Sequence, residues 1–357
     1  MTERSQTQPL LAAALVIGGA AAIVALETIF RGAGGGSLVL TIAFWRAVAE
    51  GSVALAAAAE LTKAKWVRPI KTRLLSVYPL ILVTTLLLIP LGARLDLYPW
   101  ADSQGLWLNQ WFFLGRNVAL SLVLFVLASL LAADPEGRGP HRGSLIVAYL
   151  LVFVASQSLL AFDLVMSLEH PWISTLFGGY FFIEALFAGM ALSGAICFFA
   201  LRSGDPLTLR SNDPEGRARL QVTLRDTATL IFGFSLLWAG LFYAQFLVIW
   251  YGNIPEEVSF LVHRLTESPV REISFSVLGA MFFAPFVLLI SRRAKSSRGV
   301  VLTVSLLVFY GIFAERVVFL APVAPLNAGL AVAESVIMLL LAGVLISRSK
   351  LGGGART

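Results

Sequence analysis

Charged residues are scarce in this sequence: only 13% of its 357 residues are Asp, Glu, Lys or Arg, whereas 58% are hydrophobic. A typical water-soluble domain carries about 25% charged residues. Together with the mean hydropathy of +0.83, this composition excludes an ordinary soluble enzyme. The net charge of +6 does not indicate nucleic-acid binding, because the basic residues lie in short loops between apolar runs and form no single water-facing patch.

Cysteine and histidine are also scarce, with one Cys and three His. A lone Cys197 excludes an intrachain disulfide and argues against a Cys-ligated zinc or iron–sulfur site, so we interpret it as an inert core thiol. A b-type haem in a helical bundle needs two axial ligands from the helices. His141 and His263 fall in polar loops and only His170 lies at a helix boundary. We therefore expect no metal and no redox centre bound by this chain.

Long apolar runs occupy most of the sequence. A membrane-spanning helix needs about 20 apolar residues, and we find neither a soluble domain nor a nucleotide-binding or nucleophile motif between the runs. We predict one all-α integral membrane domain over residues 1–357, a polytopic bundle of about ten transmembrane helices. The predicted spans lie near residues 9–30, 38–60, 74–92, 107–132, 144–168, 172–201, 227–250, 268–291, 299–320 and 325–347.

The distribution of basic residues predicts the orientation of these helices. With both termini on one side, that side holds most of the 27 basic residues. The loops on the opposite side hold only Arg31, Arg94, Arg264 and Arg271. Because cytoplasmic loops carry an excess of Lys and Arg, we expect both termini in the cytoplasm.

Ionisable residues inside the predicted spans are the main functional signal, since a charge at the bilayer centre costs roughly 2.5–3.5 kcal/mol. Arg46 and Glu50 are four residues apart and therefore share a helix face, as do Tyr180 and Glu184. A structural ion pair that holds helices together is the alternative interpretation of Arg46 and Glu50.

The depth of these residues favours a path for protons. At a rise of about 1.5 Å per residue, most of them fall in the outer half of the bilayer, whereas Glu50 and Glu184 fall near the middle and few lie in the inner half. Glu315 and the adjacent Arg316 are expected to point in different directions, and Glu27 can reach Arg31. The predicted proton path comprises Arg46, Glu50, Arg116, Asp163, Tyr180, Glu184, Glu315 and Glu334. Ordinary structural pairing of some of these groups is the alternative.

A short hairpin, MSLEHPWISTLFGGYFF from Met166, joins the fifth and sixth predicted spans. Pro171 suits the start of a helix, because its missing N–H would be unsatisfied there in any case. A carboxylate beside a titratable imidazole can accept or relay a proton. We therefore predict an outer polar site for a quinone at Asp163, Glu169 and His170; a capped interfacial hairpin is the alternative.

This hairpin and a second stretch, YAQFLVIWYGNIPEE from Tyr243, resemble the F subunit of bacterial alternative complex III, a quinol oxidoreductase of the NrfD and polysulfide-reductase-like group. The resemblance implies two four-helix bundles plus two peripheral helices in the bacterial cytoplasmic membrane. It also implies partner subunits, namely a similar C-type membrane subunit, an iron–sulfur protein and a multihaem cytochrome, which carry the haems and iron–sulfur clusters. A menaquinone or other quinone is the only cofactor it implies near this chain.

Three functions follow as hypotheses. The first is a redox-inactive membrane subunit of a quinol-oxidising respiratory complex, which supports proton translocation or quinone binding. The second is a secondary transporter with a midplane site; such proteins show inverted repeats, and no convincing repeat occurs in this sequence. The third is a purely structural membrane anchor for redox subunits.

Overall fold

The protein is built of helices. The computed structural model describes residues 3–30, 35–203 and 214–349, and within these ranges it contains no strand. In chain order, helices α1 to α14 are Glu3–Ile29, Gly36–Leu61, Lys71–Leu75, Pro79–Gly92, Gln110–Ala133, Arg142–Leu160, Leu176–Ser203, Pro214–Gly252, Pro255–Thr266, Val270–Leu278, Ala284–Leu288, Arg292–Ser296, Arg298–Leu320 and Ala328–Arg348. Nine helical segments of this part of the chain are long and apolar enough to cross a membrane. The predicted all-α polytopic bundle is confirmed.

The spanning helices form two four-helix bundles. In the first bundle, α2 packs on α4, α4 on α5, α5 on α6, and α6 again on α2. In the second bundle, α7 packs on α8, α8 on the segment that contains α10 and α11, that segment on α13, and α13 again on α7. Helices α1 and α14 contact each other and lie beside the first bundle, against α4 and α2. This is the arrangement that the family resemblance implies.

Helices α2 and α7 join the two bundles through a close backbone contact. A Cβ atom at Gly51 of α2 would lie 1.7 Å from the carbonyl oxygen of Ala185 on α7, and one at Gly189 would lie 2.6 Å from the carbonyl oxygen of Gly51. Small residues let helix backbones approach each other closely in membrane proteins. The most apolar window of α2 is accordingly buried along its whole length, which makes α2 the central helix of the fold.

Two spans change their helical pitch. Helix α6 continues through a π-helix, Ala161–Val165, into a 3-10 helix, Met166–Glu169. A second π-helix, Gly279–Phe283, joins α10 to α11. Asp163 lies within the first π-helix, and Glu169 ends the 3-10 helix that follows it.

Some predicted boundaries differ from the structure. The span predicted near 227–250 is part of the 39-residue helix α8, which begins at Pro214. At about 58 Å, α8 is longer than the roughly 30 Å hydrocarbon layer, so hydropathy located only its apolar part. The loop expected after that span contains a further helix, α9. In α1, the described apolar helical segment is Ala13–Ile29.

We name the two ends of the bundle by a buried arginine at each. The Arg264 end contains the last turn of α1 and α13 and the first turn of α2, α7 and α14, and the sequence predicts that it faces outward. The Arg142 end contains the opposite helix termini. There, Glu60 of α2 accepts hydrogen bonds of 3.0 and 2.8 Å from Arg142 of α6 and lies 2.8 Å from Lys71 of α3. These contacts join α2 and α6 of the first bundle to the short helix α3.

Candidate functional site

The centre of the first bundle contains the predicted pair of Arg46 and Glu50. Their side chains are buried, with 3.0 Å between Nε and Oε1, so the pairing expected from the i,i+4 spacing is confirmed. Helix α6 completes the group: Gln157 donates to Glu50 at 2.7 Å, and Ser156 accepts from Arg46 at 2.7 Å. A charged pair surrounded by polar partners from a second helix loses less energy on burial than an isolated pair.

Asp163 belongs to a separate group at the Arg264 end of the first bundle. Its carboxylate accepts two hydrogen bonds of 2.7 Å from Arg116 and a third of 2.7 Å from Asn117, both on α5. Arg116 also donates to the carbonyl of Trp107 at 2.6 Å, and its guanidinium lies 4.2 Å from the Trp107 ring centroid. Asp163 therefore ties α6 to α5 through a bidentate ion pair, a geometry that is stronger than a single bond.

The second bundle contains a four-residue group that we call the α7–α13 cluster: Tyr180, Glu184, Glu315 and Arg316. The Glu184 carboxylate lies 2.5 Å from Arg316, and Trp238 of α8 donates to it at 3.3 Å. Tyr180 donates a short hydrogen bond to Glu315, whose second oxygen lies 3.8 Å from Arg316. Tyr180 and Glu184 share one face of α7. They contact Glu315 and Arg316 of α13, respectively.

One expectation for this cluster needs correction. Glu315 and Arg316 are expected to point apart, yet both contact α7: Glu315 accepts from Tyr180, and Arg316 pairs with Glu184. The long Arg316 side chain also reaches to within 3.8 Å of Glu315. The position of Glu184 near the middle of the bilayer stays a prediction.

Glu169 lies against the second bundle, where it pairs with Arg264 of α9. Arg264 donates to both carboxylate oxygens, at 3.0 and 2.6 Å, and to the carbonyls of Phe260 and Phe319, at 2.8 and 2.9 Å. Burial lowers the pKa of Arg264, and the Glu169 carboxylate opposes that shift. Sequence reasoning missed Arg264 because it assigned the segment to a loop; the amphipathic pattern of PEEVSFLVHRLT was the available signal.

The three residues predicted to form one outer polar site therefore have different surroundings. Asp163 binds Arg116 in the first bundle, Glu169 binds Arg264 beside the second bundle, and the His170 side chain is exposed. Asp163 lies within the π-helix and Glu169 at the end of the 3-10 helix that follows it, and the two carboxylates point toward different bundles. The prediction grouped these residues by their proximity in the hairpin, by the chemistry of a carboxylate beside an imidazole, and by the family motif. None of these signals reports which bundle each side chain faces.

A further acidic group lies where α1 and α14 meet α2. Glu334 accepts a 2.5 Å hydrogen bond from Thr41, and Glu27 accepts one of 3.2 Å from Ser37, one turn earlier on the same face of α2. Glu27 also forms an ion pair with Arg94; the partner expected for it, Arg31, lies outside the described residues. This group fixes both peripheral helices to the first bundle. It has a formal charge of −1 when both carboxyl groups are ionised.

A cavity of 320 Å³ opens at the Arg264 end of the second bundle, between α7, α8, α9, α10 and α13. Its wall is mostly aromatic and aliphatic, and includes Phe242, Phe260, Phe275 and Phe319. Its polar wall residues are Tyr180, Gln245, Arg264, Ser274 and Glu315. The cavity therefore contacts both the α7–α13 cluster and the Glu169–Arg264 pair.

Three buried polar atoms on this wall have no hydrogen-bond partner in the described part of the chain: Nε1 of Trp172, Nε of Arg264 and Oε2 of Glu315. The three side chains are only 3–4% exposed. Buried polar atoms are almost always satisfied in native proteins, so each unsatisfied one needs an explanation. The three atoms have almost no accessible surface, so none of them opens into the cavity.

Comparison with protein-family models and with curated proteins gives no match to this chain.

Proposed function

We propose that the chain is an integral subunit of a quinol-oxidising respiratory complex in the bacterial cytoplasmic membrane. It carries no redox centre of its own, has both termini in the cytoplasm, and supports proton translocation through its buried carboxylates. The partners are a C-type membrane subunit, an iron–sulfur protein and a multihaem cytochrome, which hold the haems and clusters. This proposal extends the family resemblance of the sequence.

One observation carries the proton-translocation part: each four-helix bundle encloses a buried carboxylate–guanidinium pair, Arg46–Glu50 in the first and Glu184–Arg316 in the second. Ionisable groups in membrane spans are costly, and where they persist they often mark proton or ion pathways. Arg46 and Arg316 each have a buried N–H without a partner in the described residues. A donor without a partner is suited to a water-mediated link to the next group.

The distribution of these groups also supports the proposal. Asp163, Glu169, Glu315 and Glu334 lie toward the Arg264 end, which the positive-inside rule assigns to the outer side. At the opposite end, Glu60 is held by Arg142 and Lys71. A path that starts at the outer face and stops before the cytoplasmic face is the expected form of a proton half-channel.

The first test is purification of the chain from its native membrane in a mild detergent, followed by a haem spectrum and identification of the co-purified subunits. The proposal expects a coloured complex with an iron–sulfur protein and a multihaem cytochrome. A colourless chain that purifies alone contradicts it and favours the transporter hypothesis.

The second test measures protons moved per electron in the reconstituted complex. Glu50→Gln and Glu184→Gln are expected to lower this ratio while haem content stays normal. Glu136→Gln is the matched control, because Glu136 is an exposed loop carboxylate, 63% accessible, and its loss should leave the ratio unchanged. If all three variants couple like the wild type, the chain acts as a structural anchor. The pairing of each central carboxylate is the observation that favours this second candidate.

A further inference from the structure

We propose that the Arg142 end of the second bundle binds the head group of an anionic phospholipid. The site is a basic surface formed by the first turns of α8 and by the short helix α12. We call it the α8–α12 patch, and its residues are Arg217, Arg225, Arg292, Arg293 and Lys295. It lies at the opposite end of the bundle from the cavity and contains none of the buried charge pairs, so it does not depend on the respiratory role proposed above.

Two contacts hold α12 against one face of α8. The side-chain amide of Gln221 donates a 2.6 Å hydrogen bond to the carbonyl of Ser296. The ammonium group of Lys295 lies 4.7 Å from the ring centroid of Phe232. Gln221 and Phe232 are about three turns apart on α8 and therefore share a face. The face of α8 that meets α12 is thus the one that carries these two side chains.

The same face of α8 carries two arginines. Arg217 lies four residues before Gln221 and Arg225 lies four residues after it, so all three side chains are on one side of the helix. Both arginines are exposed, as are Arg292 and Arg293 of α12. None of these four arginines forms a salt bridge within the described part of the chain. The fold therefore gathers unneutralised positive charge from two segments that are far apart in sequence.

The acidic residues of this part of α8 do not neutralise the patch. Glu215 pairs with Arg219, 3.0 Å away. Asp226 directly follows Arg225 and so points about 100° away from it around the helix axis, where it is half-buried. The α12 segment, residues 292–298, contains no acidic residue. The charge of the patch must be balanced by an anion from outside the described residues.

The position of the patch selects a lipid as the source of that anion. Helix α12 joins two candidate membrane spans, Val270–Leu288 and Arg298–Leu320. Val287 and Ile290, just before α12, are 63% and 65% exposed. A basic surface that continues directly into an exposed apolar one is complementary to an amphiphile, with its phosphate on the arginines and its acyl chains beside the apolar residues. Clusters of about four to eight basic residues beside a membrane span are typical of binding to anionic lipids.

The side chains of the patch suit a phosphate group. Four of the five are arginines, whose guanidinium groups can donate two parallel hydrogen bonds to phosphate oxygens. Lys295 adds a fifth positive charge on the side nearest the apolar part of α8, beside Phe232. A head group with a net negative charge, such as that of phosphatidylglycerol, should therefore bind better than phosphatidylcholine, whose own ammonium group the patch repels.

The test uses the purified full chain in detergent and measures bound phosphatidylglycerol and phosphatidylcholine of identical acyl chains by native mass spectrometry. The wild type is expected to prefer phosphatidylglycerol. The triple variant Arg225→Gln, Arg292→Gln, Arg293→Gln should lose this preference. Each basic residue near a lipid surface contributes about a fivefold gain in affinity, so the three changes together should weaken phosphatidylglycerol binding by roughly a hundredfold.

A second triple variant removes the same charge from the same end of the molecule and serves as the matched control: Lys65→Gln, Arg68→Gln, Arg138→Gln. All three side chains are exposed and belong to loops of the first bundle. Trp66, in the first of these loops, accepts a hydrogen bond from Thr223, which lies on the side of α8 away from the patch. The control should keep the lipid preference of the wild type, and circular dichroism should show equal helix content in all three proteins.

Loss of the preference in the patch variant alone supports the site. The site is overturned if the wild type shows no preference, if the patch variant keeps it, or if the control loses it to the same extent. Two competitors test other sources of negative charge. Displacement of phosphatidylglycerol by millimolar inorganic phosphate would assign the patch to a soluble anion, and displacement by polyglutamate would assign it to an acidic protein; either result overturns the lipid.

Discussion

Glu184 of α7 and Arg316 of α13 form an ion pair across the second bundle, with 2.5 Å between Oε2 and Nη2 and both side chains fully buried. The guanidinium carbon of Arg316 also lies 3.8 Å from the ring centroid of Phe181. The first bundle holds its own pair, Arg46–Glu50, on a single helix. The two pairs therefore differ in how they are built: one lies within a single helix, the other between two helices.

Arg316→Met should destabilise the protein by about 3–5 kcal/mol, because removal of one partner leaves the Glu184 carboxylate buried without its counter-charge. The free energy of unfolding in detergent, followed by circular dichroism, measures this effect. Arg219→Met is the matched control. Arg219 pairs with Glu215 on the surface of α8, where both side chains are mostly exposed, and such pairs contribute only about 0–1 kcal/mol. Equal losses in the two variants would contradict the importance of the buried pair.

Gly51→Ala should destabilise the contact between the two bundles. The added methyl group would lie 1.7 Å from a carbonyl oxygen of α7, so the helices must separate; overpacking of this kind costs about 1–3 kcal/mol or more. Gly233→Ala on α8 is the control, because its Cβ would meet no atom within 4 Å. Thermal unfolding midpoints compare the two variants. A midpoint for Gly51→Ala at or above that of Gly233→Ala would rule out the close α2–α7 contact.

His170→Ala should leave proton coupling and quinol turnover of the purified complex unchanged, since the His170 side chain is exposed and lies outside the cavity wall. Asp163→Asn should lower the stability of the complex by several kcal/mol, because Arg116 loses a bidentate carboxylate partner. Turnover assays combined with unfolding measurements distinguish the two variants. If His170→Ala assembles normally but loses much of its turnover, the prediction is wrong and the His170 imidazole belongs to the functional site.

Asp134→Asn should destabilise the protein at neutral pH but not in strong acid. Asp134 follows α5, and the backbone N–H groups of Gly139 and Gly137 hold the pKa of its carboxyl below the ordinary value of 3.8. A group whose pKa is lowered by folding adds stability above its unfolded pKa, and this stability disappears as the pH falls through the folded pKa.

The unfolding midpoints of the wild type and of Asp134→Asn should therefore differ at pH 7 and converge once the pH is below the folded pKa of Asp134. Glu136→Gln, a change in the same loop, serves as the control for charge alone and should show a smaller difference. If the unfolding midpoints of the wild type and Asp134→Asn still differ by the same amount in strong acid, the lowered pKa of Asp134 does not explain the destabilisation.

Much of the fold could be predicted from the sequence, because hydropathy reports burial in lipid directly. The start of α8 at Pro214 was missed, since its first turns are polar and hydropathy does not detect them. Helix α9 was missed for a related reason: it is short and half polar. Arg264, its buried cation, was accordingly counted as a loop charge.

The candidate site was predicted less completely. The i,i+4 spacing identified Arg46 with Glu50 correctly, since both lie on one regular helix. It could not identify Arg264 as the partner of Glu169, or Arg316 as the partner of Glu184, because those pairs join segments far apart in sequence. The cavity at Glu315 was also beyond prediction, as five helices form its wall.

The sequence alone determined that this chain forms an all-α bundle of apolar helices and that several charges are buried inside it, because composition and hydropathy follow from the residues themselves. Only the tertiary structure decided which charges on different segments meet. The physical reason is that such pairing depends on how the helices are rotated and packed: Asp163 and Glu169, close in sequence, lie against different bundles.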